Sequence, residues 1–374
     1  MRGILILGAL ACMVRGEELP LGQIIDSVKC AADSSQSYAL YLPSHYSTDR
    51  SWRLILAFDP RARGQTPVER FAAAAEMYGY IVAGSNNSSN GSWQGSMVAV
   101  QTMSTDLGAR FQIDDKRVYT AGLSGGARVA MEVALATHRI AGVIASSAGY
   151  PDATPRKSVS FAVFGTAGTE DFNYLEMRRL DRVLTTPHRL AIFEGGHTWL
   201  SSELAVEAIE WMEIAAMKSG LSPRDQPLIE RIFTKRVAQA GEYGALAALV
   251  ADFSGLKDVS EFAAREAAMR QSKGVKDALK RERSDERREE QLLAEFADAE
   301  AGLADSDRRG ASLGQLRGRL ADLSRKAEAP NDSLDRRLAR RVLRGVVASS
   351  VERAKDPEYK KLIEKYRPTA RPFQ

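Results

Sequence analysis

The chain of 374 residues has little cysteine and histidine, and it lacks a long apolar run. It contains two cysteines, Cys12 and Cys30, and four histidines. Because Cys12 falls in an apolar leader, its removal would leave Cys30 without an intramolecular partner, so no disulfide framework is expected. No group of histidines and cysteines has the spacing of metal ligands, and we therefore expect no metal site. Cys30 is predicted to be a packing residue in the core.

The longest uninterrupted apolar run lies at the N-terminus, in "MRGILILGALACMV". It covers residues 3–14, whereas a spanning helix needs roughly 18 to 20 apolar residues, so no stable transmembrane span is expected. One arginine, an apolar run and small residues predict a signal peptide over 1–16 and a secreted or periplasmic protein. Cleavage after "ALA" at 9–11 or nearer residue 16 stays open, as do a lipoprotein anchor on Cys12 and a buried N-terminal strand.

The charge of the chain is small and well mixed. The formal net charge is +4, and basic residues alternate with acidic ones almost everywhere. Nucleic-acid binding needs a concentrated basic face. We therefore expect no nucleic-acid partner.

Strand and helix patterns alternate over about residues 37–217, which predicts an α/β fold with a mostly parallel central sheet in a domain over 24–218. The run "RLILAF" is typical of a strand that is buried on both faces. Predicted strands lie at 37–43, 53–58, 80–84, 117–122, 140–149, 158–165 and 189–196, and predicted helices at 67–79, 94–110, 126–137 and 201–218.

The composition changes after residues 219–227. Strand patterns disappear, and alanine, leucine, arginine and glutamate dominate, which predicts an all-helical region over 225–374 that could contact a protein partner. The mixed-charge run at 280–291 predicts a solvated helix face. Two apolar stripes have helical spacing: Leu292, Phe296, Ala299 and Leu303, and Leu313, Leu316, Leu320 and Leu323.

A G-x-S-x-G motif occupies residues 122–126, directly after a predicted strand and before a predicted helix. In this context the motif indicates a nucleophilic serine, Ser124, on a sharp turn. The N–H of Gly125 would lie at the helix N-terminus, where negative charge is favoured, and is the first predicted oxyanion donor. The alternative is an ordinary tight turn.

A serine hydroxyl needs a base to become a good nucleophile. Of the four histidines, only His197 follows the end of a predicted strand, after two glycines in "EGGHTW". The carboxyl ends of parallel strands are where sites form in such sheets. His197 is therefore the predicted base, and a solvated loop histidine is the alternative.

The third catalytic group should be a carboxylate between the serine and the histidine in sequence. Glu170 and Asp171 both follow the predicted strand that ends at 164 or 165. We favour Asp171, because a short side chain before a helix start is easier to hold rigidly. Glu170 stays open, and Asp171 could also cap that helix.

A second oxyanion donor is expected in the loop "DPRARG" at 59–64. Pro60 has no N–H to donate. The donor is therefore Arg61, our prediction, or Ala62. The Arg61 side chain could instead bind an acidic group of the substrate or lie on the surface.

With these residues, the chain from about 35 to 217 resembles the α/β-hydrolase superfamily. It is most similar to secreted esterases of the polyhydroxybutyrate-depolymerase, feruloyl-esterase and dienelactone-hydrolase-like groups. The segments that carry the resemblance are "IDDKRVYTAGLSGGARVAM" and "EGGHTW" followed by "EAIEWM". The resemblance implies that Ser124 is the nucleophile, His197 the base and then the acid, and Asp171 the orienting carboxylate, with no cofactor.

The sequence departs from the family pattern at two places. The family acid often stands three residues after a glycine at the strand end, and counting from Gly165 gives Gly168, so Asp171 would require a longer loop. The first-strand loop usually has a His-Gly pair, whereas this chain has Asp59 and Pro60. The helical region lies outside the resemblance.

The expected function is that of a serine carboxylesterase acting on a small-molecule or polymer-linked ester. A serine peptidase or amidase, and a binding protein on a non-catalytic hydrolase scaffold, are the alternatives. The segment "SNNSSNGSW" is a candidate rim loop of the site. Trp93 and Trp199 could stack on an acyl group or simply pack.

Overall fold

The computed structural model describes residues 19–154, 156–350 and 354–367. The predicted signal peptide at 1–16 and Cys12 lie outside the described residues. Within the described ranges, no helix is long and apolar enough to cross a membrane.

Eight strands form one sheet. They are β1 (Ile24–Lys29), β2 (Ser37–Tyr41), β3 (Trp52–Phe58), β4 (Tyr80–Ser85), β5 (Ile113–Leu123), β6 (Gly142–Ser146), β7 (Ala162–Gly168) and β8 (His188–Phe193). Their order is β1-β2-β4-β3-β5-β6-β7-β8. β2 is antiparallel to β1 and β4, whereas the pairs from β4 through β3, β5 and β6 to β7 are parallel. The predicted mostly parallel α/β fold is confirmed, and β1 is an addition that the sequence pattern did not indicate.

Twelve helices accompany these strands in the described residues. The first five are α1 (Gln65–Tyr78), α2 (Trp93–Arg110), α3 (Gly125–Thr137), α4 (Tyr174–Val183) and α5 (Ser202–Ser219). The others are α6 (Gln226–Gln239), α7 (Tyr243–Phe253), α8 (Ser260–Gln271), α9 (Lys273–Gly302), α10 (Arg309–Ala327), α11 (Leu334–Ser350) and α12 (Pro357–Tyr366). The predicted C-terminal helical region is therefore confirmed. Local signals explain several helix ends: the Ser201 hydroxyl accepts from the Leu204 N–H, and Gly79 ends α1 with φ 69°.

The chain forms two compact units. Among the described residues, the first unit comprises those up to Thr166 with Leu180–Ala191 and Trp199–Glu266, and the second comprises Ala167–Arg179, Ile192–Thr198 and those from Ala267 onward. The predicted division of the chain into 24–218 and 225–374 stays a prediction.

The core of the first unit combines strand residues with residues of α1 and α5. Ile55 and Val82 lie in one cluster with Phe71 of α1 and Trp211 of α5, and all four are buried. Because β3 and β4 are nearly continuous apolar runs, the sheet can be covered by helices in this way.

The core of the second unit is formed by the predicted leucine stripe. Leu313, Leu316, Leu320 and Leu323 are buried in one cluster with Phe296. The i, i+3, i+7, i+10 spacing therefore describes a real helix face, and the predicted stripe is confirmed.

The charged run at 280–291 differs from its prediction. Glu286 and Glu289 have exposed fractions of only 5% and 1%. Arg178 donates to Glu286 over 3.0 Å, and Arg341 donates to Glu289 over 2.8 Å. Burial raises the pKa of Glu289. The prediction of a solvated face is wrong for these two glutamates, because arginines distant in sequence compensate their charges.

The environment of Cys30 disfavours its thiolate form. The residue is 2% exposed, and burial, with a smaller contribution from Asp106, raises the pKa of the thiol to about 11. Thiolate is the reactive form. In a Cys12→Ser variant, we expect the folded protein to react with Ellman's reagent at mildly alkaline pH about a hundredfold more slowly than the chain in concentrated guanidinium chloride. Equal rates would show that Cys30 is accessible.

Candidate active site

Ser124 stands between the last residue of β5 and the first residue of α3. Its backbone has φ 55° and ψ −120°, a conformation that residues with a side chain rarely adopt and that costs about 1–3 kcal/mol. Three hydrogen bonds hold it: the Ser124 N–H donates to the Ser146 carbonyl over 2.9 Å, and the Ser124 carbonyl accepts from the N–H groups of Ala127 over 3.0 Å and Arg128 over 3.2 Å. A strained serine at a strand-to-helix turn is the geometry of a nucleophile elbow.

Two glycines make this turn possible. A Cβ on Gly122 would overlap the carbonyl oxygen of Gly126, and a Cβ on Gly126 would overlap the carbonyl oxygen of Phe58. Both obstacles are backbone atoms, so they cannot turn away as a flexible side chain could. The glycines of the motif therefore serve the close approach of β3, β5 and α3.

The second unit contains a histidine–carboxylate pair. His197 Nδ1 lies 2.8 Å from Asp171 Oδ1, and the two side chains are 10% and 0% exposed. The ring of Phe172 stacks on the imidazole with 4.0 Å between the centroids. A neutral histidine that donates from Nδ1 presents a lone pair at Nε2, which is the form that a general base requires.

Asp171 also organises its own loop. Its Oδ1 accepts from the Asn173 N–H over 2.8 Å, just before α4 begins. The pairing with His197 and this local turn are therefore made by the same carboxylate, as the sequence allowed.

The strand before Asp171 is longer than predicted. β7 continues to Gly168, whereas the sequence pattern placed its end at 164 or 165. Asp171 consequently stands three residues after a glycine at the strand end, so the departure from the family spacing disappears. Gly168 is needed because a Cβ there would overlap the carbonyl oxygens of Gly195 and Gly196.

The alternative acid, Glu170, has different partners. Its Oε1 accepts from Arg340 Nη1 over 2.6 Å, and its Oε2 lies 3.4 Å from Arg344 Nη1. The structure therefore brings Asp171, and not Glu170, to the histidine.

The remaining histidines have other surroundings. His45 Nδ1 is 3.7 Å from Glu76, His138 follows the last turn of α3 with φ 53°, and His188 Nδ1 is 2.7 Å from the Thr186 carbonyl. All four histidines lie in the described ranges, and His197 is the one whose ring nitrogen is within hydrogen-bond distance of a carboxylate. No group of three or more His, Cys, Asp or Glu side chains in the described residues could hold a metal ion.

The loop at 59–64 is organised by its own buried carboxylate. Asp59 is fully buried, and its Oδ1 accepts from the Arg61 N–H over 2.8 Å. The Ala62 N–H donates to the Asp59 carbonyl over 3.1 Å. The amides of Arg61 and Ala62, the predicted and alternative oxyanion donors, are thus engaged within the loop, which argues against either as the donor.

The two candidate tryptophans, Trp93 and Trp199, differ in exposure. Trp199 is 4% exposed and donates from Nε1 to Asp59 Oδ2 over 2.8 Å, so it is a packing residue that helps to fix this loop. Trp93 is 46% exposed at the start of α2.

Two features of these regions were not found from the sequence. Asn90 lies beside Gly125 in the first unit, but nothing in "SNNSSNG" distinguishes it from its neighbours. In the second unit, one face of α11 carries arginines that contact the loops of Asp171 and His197. Their spacing of i, i+3, i+4 and i+7 was a usable signal: Arg337, Arg340, Arg341 and Arg344.

No family model and no curated protein matches this chain. Solved structures that are similar to about half of it include a ferulic acid esterase, at 14% identity over 52% of this chain and 98% of that one, with a TM-score of 0.41. An esterase of Pyrobaculum calidifontis is 12% identical over 54% and 88%, with a TM-score of 0.40. The feruloyl esterase module from Clostridium thermocellum complexed with sinapinate is 14% identical over 50% and 85%, with a TM-score of 0.41.

The contact at Gly126 predicts a large effect of a single methyl group. We expect Gly126→Ala to lower the free energy of unfolding by about 3 kcal/mol or more, since the Phe58 carbonyl cannot yield without disturbing β3. Gly244→Ala is the matched control in the same unit, because the added Cβ has open space within α7 and should stabilise the helix by about 0.5 kcal/mol. Urea unfolding measures both. Equal effects of the two substitutions would contradict the steric explanation.

Proposed function

We propose that this protein is a serine hydrolase that cleaves carboxylic esters, with Ser124 as the nucleophile, His197 as the general base and Asp171 as the orienting carboxylate. The observation that carries the proposal is the strained backbone of Ser124 within G-x-S-x-G, between a strand and a helix. A turn that needed only a small residue would have no reason to hold a serine at φ 55°.

Two further observations support the proposal. The chain order Ser, Asp, His, with each residue after its own strand, β5, β7 or β8, is the order of α/β-hydrolases. The Asp171–His197 hydrogen bond supplies the oriented imidazole that such chemistry requires. A binding protein on an inactive scaffold would have no need of this pair.

In the proposed reaction, Ser124 Oγ attacks the ester carbonyl while His197 Nε2 takes its proton. The Gly125 N–H stabilises the oxyanion, and His197 then gives the proton to the leaving alcohol. Water, activated by the same imidazole, adds to the acyl-enzyme and releases the acid and the free serine. Asp171 holds the ring through Nδ1–H and stabilises the imidazolium that forms.

Labelling by a fluorophosphonate tests the nucleophile. We expect the wild-type protein to be labelled and Ser124→Ala to remain unlabelled, because the reagent reacts with activated serines. Ser89→Ala, an exposed serine of the same unit, is the control and should label as the wild type does. A folded wild-type protein that takes no label would overturn the proposal, and equal labelling of Ser124→Ala would assign the chemistry to another serine.

Steady-state kinetics test the roles of Asp171 and His197 and the class of substrate. With p-nitrophenyl esters, Asp171→Asn is expected to lower kcat by about 10⁴-fold, since the imidazole is then held in the wrong tautomer. Glu170→Gln leaves the Asp171–His197 pair in place and should cost far less. A series of esters and matched anilides separates esterase from amidase activity, and hydrolysis of anilides at comparable rates would contradict the ester assignment.

A further inference from the structure

Both backbone amides that the sequence offered as the second oxyanion donor are already engaged in hydrogen bonds. Stabilisation of a tetrahedral intermediate typically uses two or more donors aimed at one oxygen. Gly125 supplies one N–H, which has no intrahelical partner at the first position of α3. In the loop after β3, Pro60 has no N–H, and the amides of Arg61 and Ala62 donate to Asp59. A donor other than these two amides would complete the oxyanion hole.

The loop after β4 brings a side-chain amide to this place. The Asn90 N–H donates to the Pro60 carbonyl over 2.9 Å, and the neighbouring Ser89 forms an antiparallel bridge with Arg61. Two residues further, Ser92 caps α2 by accepting from the Gly95 N–H over 2.9 Å. Asn90 is therefore fixed at its backbone on both sides.

The carboxamide of Asn90 lies against Gly125. A Cβ on Gly125 would overlap Asn90 Oδ1 and would lie 2.8 Å from Cγ and 3.3 Å from Nδ2. The glycine after the nucleophile thus leaves room for this side chain. Within the described residues the Asn90 carboxamide has no hydrogen-bond partner, so a half-turn about its Cβ–Cγ bond can present Nδ2 in place of Oδ1.

We propose that Asn90 is a catalytic residue whose Nδ2–H donates to the oxyanion, together with the Gly125 N–H. This inference rests on the proposed function, because it needs Ser124 to form a tetrahedral intermediate. A neutral amide suits the role, since it donates to the developing negative charge without binding the uncharged ester strongly.

Three variants test the proposal with p-nitrophenyl esters. Asn90→Ala should lower kcat by about 10² to 10³-fold with little change in KM, the loss that follows removal of one oxyanion donor. Asn90→Asp keeps the shape but places a carboxylate beside the oxyanion, and it should lose more at neutral pH. Gln94→Ala removes an exposed carboxamide of α2 outside this loop and should retain wild-type kcat.

The pH dependence of Asn90→Asp separates a donor from a structural residue. An aspartic acid can donate only while protonated, below a pKa of about 4. The ratio of its kcat to that of the wild type should therefore rise as the pH falls toward about 4. A purely structural role predicts a constant ratio. Because the variant is isosteric, this readout holds even where Asn90→Ala does not fold.

The outcomes distinguish the two proposals. Wild-type kcat in Asn90→Ala, or a constant ratio for Asn90→Asp, would overturn the role of Asn90 while leaving Ser124 in place. A wild-type protein that neither hydrolyses esters nor takes the fluorophosphonate overturns the proposed function instead.

A second, independent observation concerns α11 in the second unit. The Arg341 guanidinium donates to the Thr169 carbonyl over 2.8 Å, and Arg344 donates to the Glu170 carbonyl over 3.2 Å. Arg340 and Arg344 both pair with the Glu170 side chain. One face of α11 therefore donates to two backbone carbonyls in the segment that leads to Asp171, and it also pairs with the buried carboxylate of Glu170.

The same helix contacts the segment around His197. Arg337 Nη2 lies 3.1 Å from Glu194 Oε2. A Cβ on Gly196 would lie 3.1 Å from Arg344 Nη1, and one on Gly345 would lie 3.5 Å from the Cβ of Phe172, the residue that stacks on His197. Both loops are thus held by α11.

We propose that Arg341 and Arg344 are positioning residues that fix the Asp171–His197 pair for the proposed reaction. In Arg344→Gln, kcat for ester hydrolysis should fall on the order of 10²-fold, the effect of displacing a catalytic group by about 1 Å. KM should change little, and Arg344→Lys should recover part of the loss.

Arg309→Gln is the matched control. Arg309 pairs with Asp356 and Glu358 in the same unit but contacts neither loop, so its loss should leave kcat unchanged. If Arg344→Gln does not fold, Arg344→Lys keeps a positive charge beside Glu170 but lacks the guanidinium, and it gives the same test. Wild-type kcat in a folded Arg344 variant would overturn the positioning role, and an inactive wild type would overturn the proposed function.

Discussion

The geometry of the nucleophile turn depends on the absence of two Cβ atoms. At Gly122 and Gly126 the backbones of β3, β5 and α3 come so close that a methyl group would overlap a carbonyl oxygen. Only this approach lets the chain leave β5 and enter α3 at once, and Ser124 then takes the left-handed φ that the turn imposes. The strain at the serine is balanced by hydrogen bonds to Ser146 and Ala127, which are made only when the sheet and the helix are in place.

The loop after β3 is well ordered by hydrogen bonds although Asp59 and Pro60 replace the usual His-Gly pair. A buried carboxylate at position 59 would be costly alone, but it accepts from the Arg61 amide, the Arg63 guanidinium and the Trp199 indole. These bonds fix the loop and also use its amides. The amides that the sequence offered as oxyanion donors are thus occupied by the interactions that stabilise the loop, and the polar loop after β4 lies beside it, where the Asn90 N–H donates to the Pro60 carbonyl.

The sequence was most informative where a pattern repeats. Alternating strands and helices, the leucine stripe of α10 and the sharp turn at Ser124 all follow from local periodicity or a local motif, and these were predicted correctly. The partners of charged residues were not predictable in this way. Glu289 lies in a run that resembles a solvated face, and its burial is decided by Arg341, 52 residues further on. The end of β7 was placed too early because Thr166, Ala167 and Gly168 form a weak strand pattern that tertiary packing overrides.

The change in composition along the sequence and the compact units of the structure divide the chain at different places. The alternation of strand and helix patterns ends near residue 217, yet the segments that carry Asp171 and His197 form one compact unit with the C-terminal helices. These segments pack with the C-terminal helices because their backbone carbonyls need hydrogen-bond donors. Buried carbonyls need donors, and Thr169 and Glu170 find theirs on Arg341 and Arg344 of α11. Removal of the helical region would expose these carbonyls or leave them without a donor. The Asp171–His197 pair and α11 are therefore expected to be stable together or not at all.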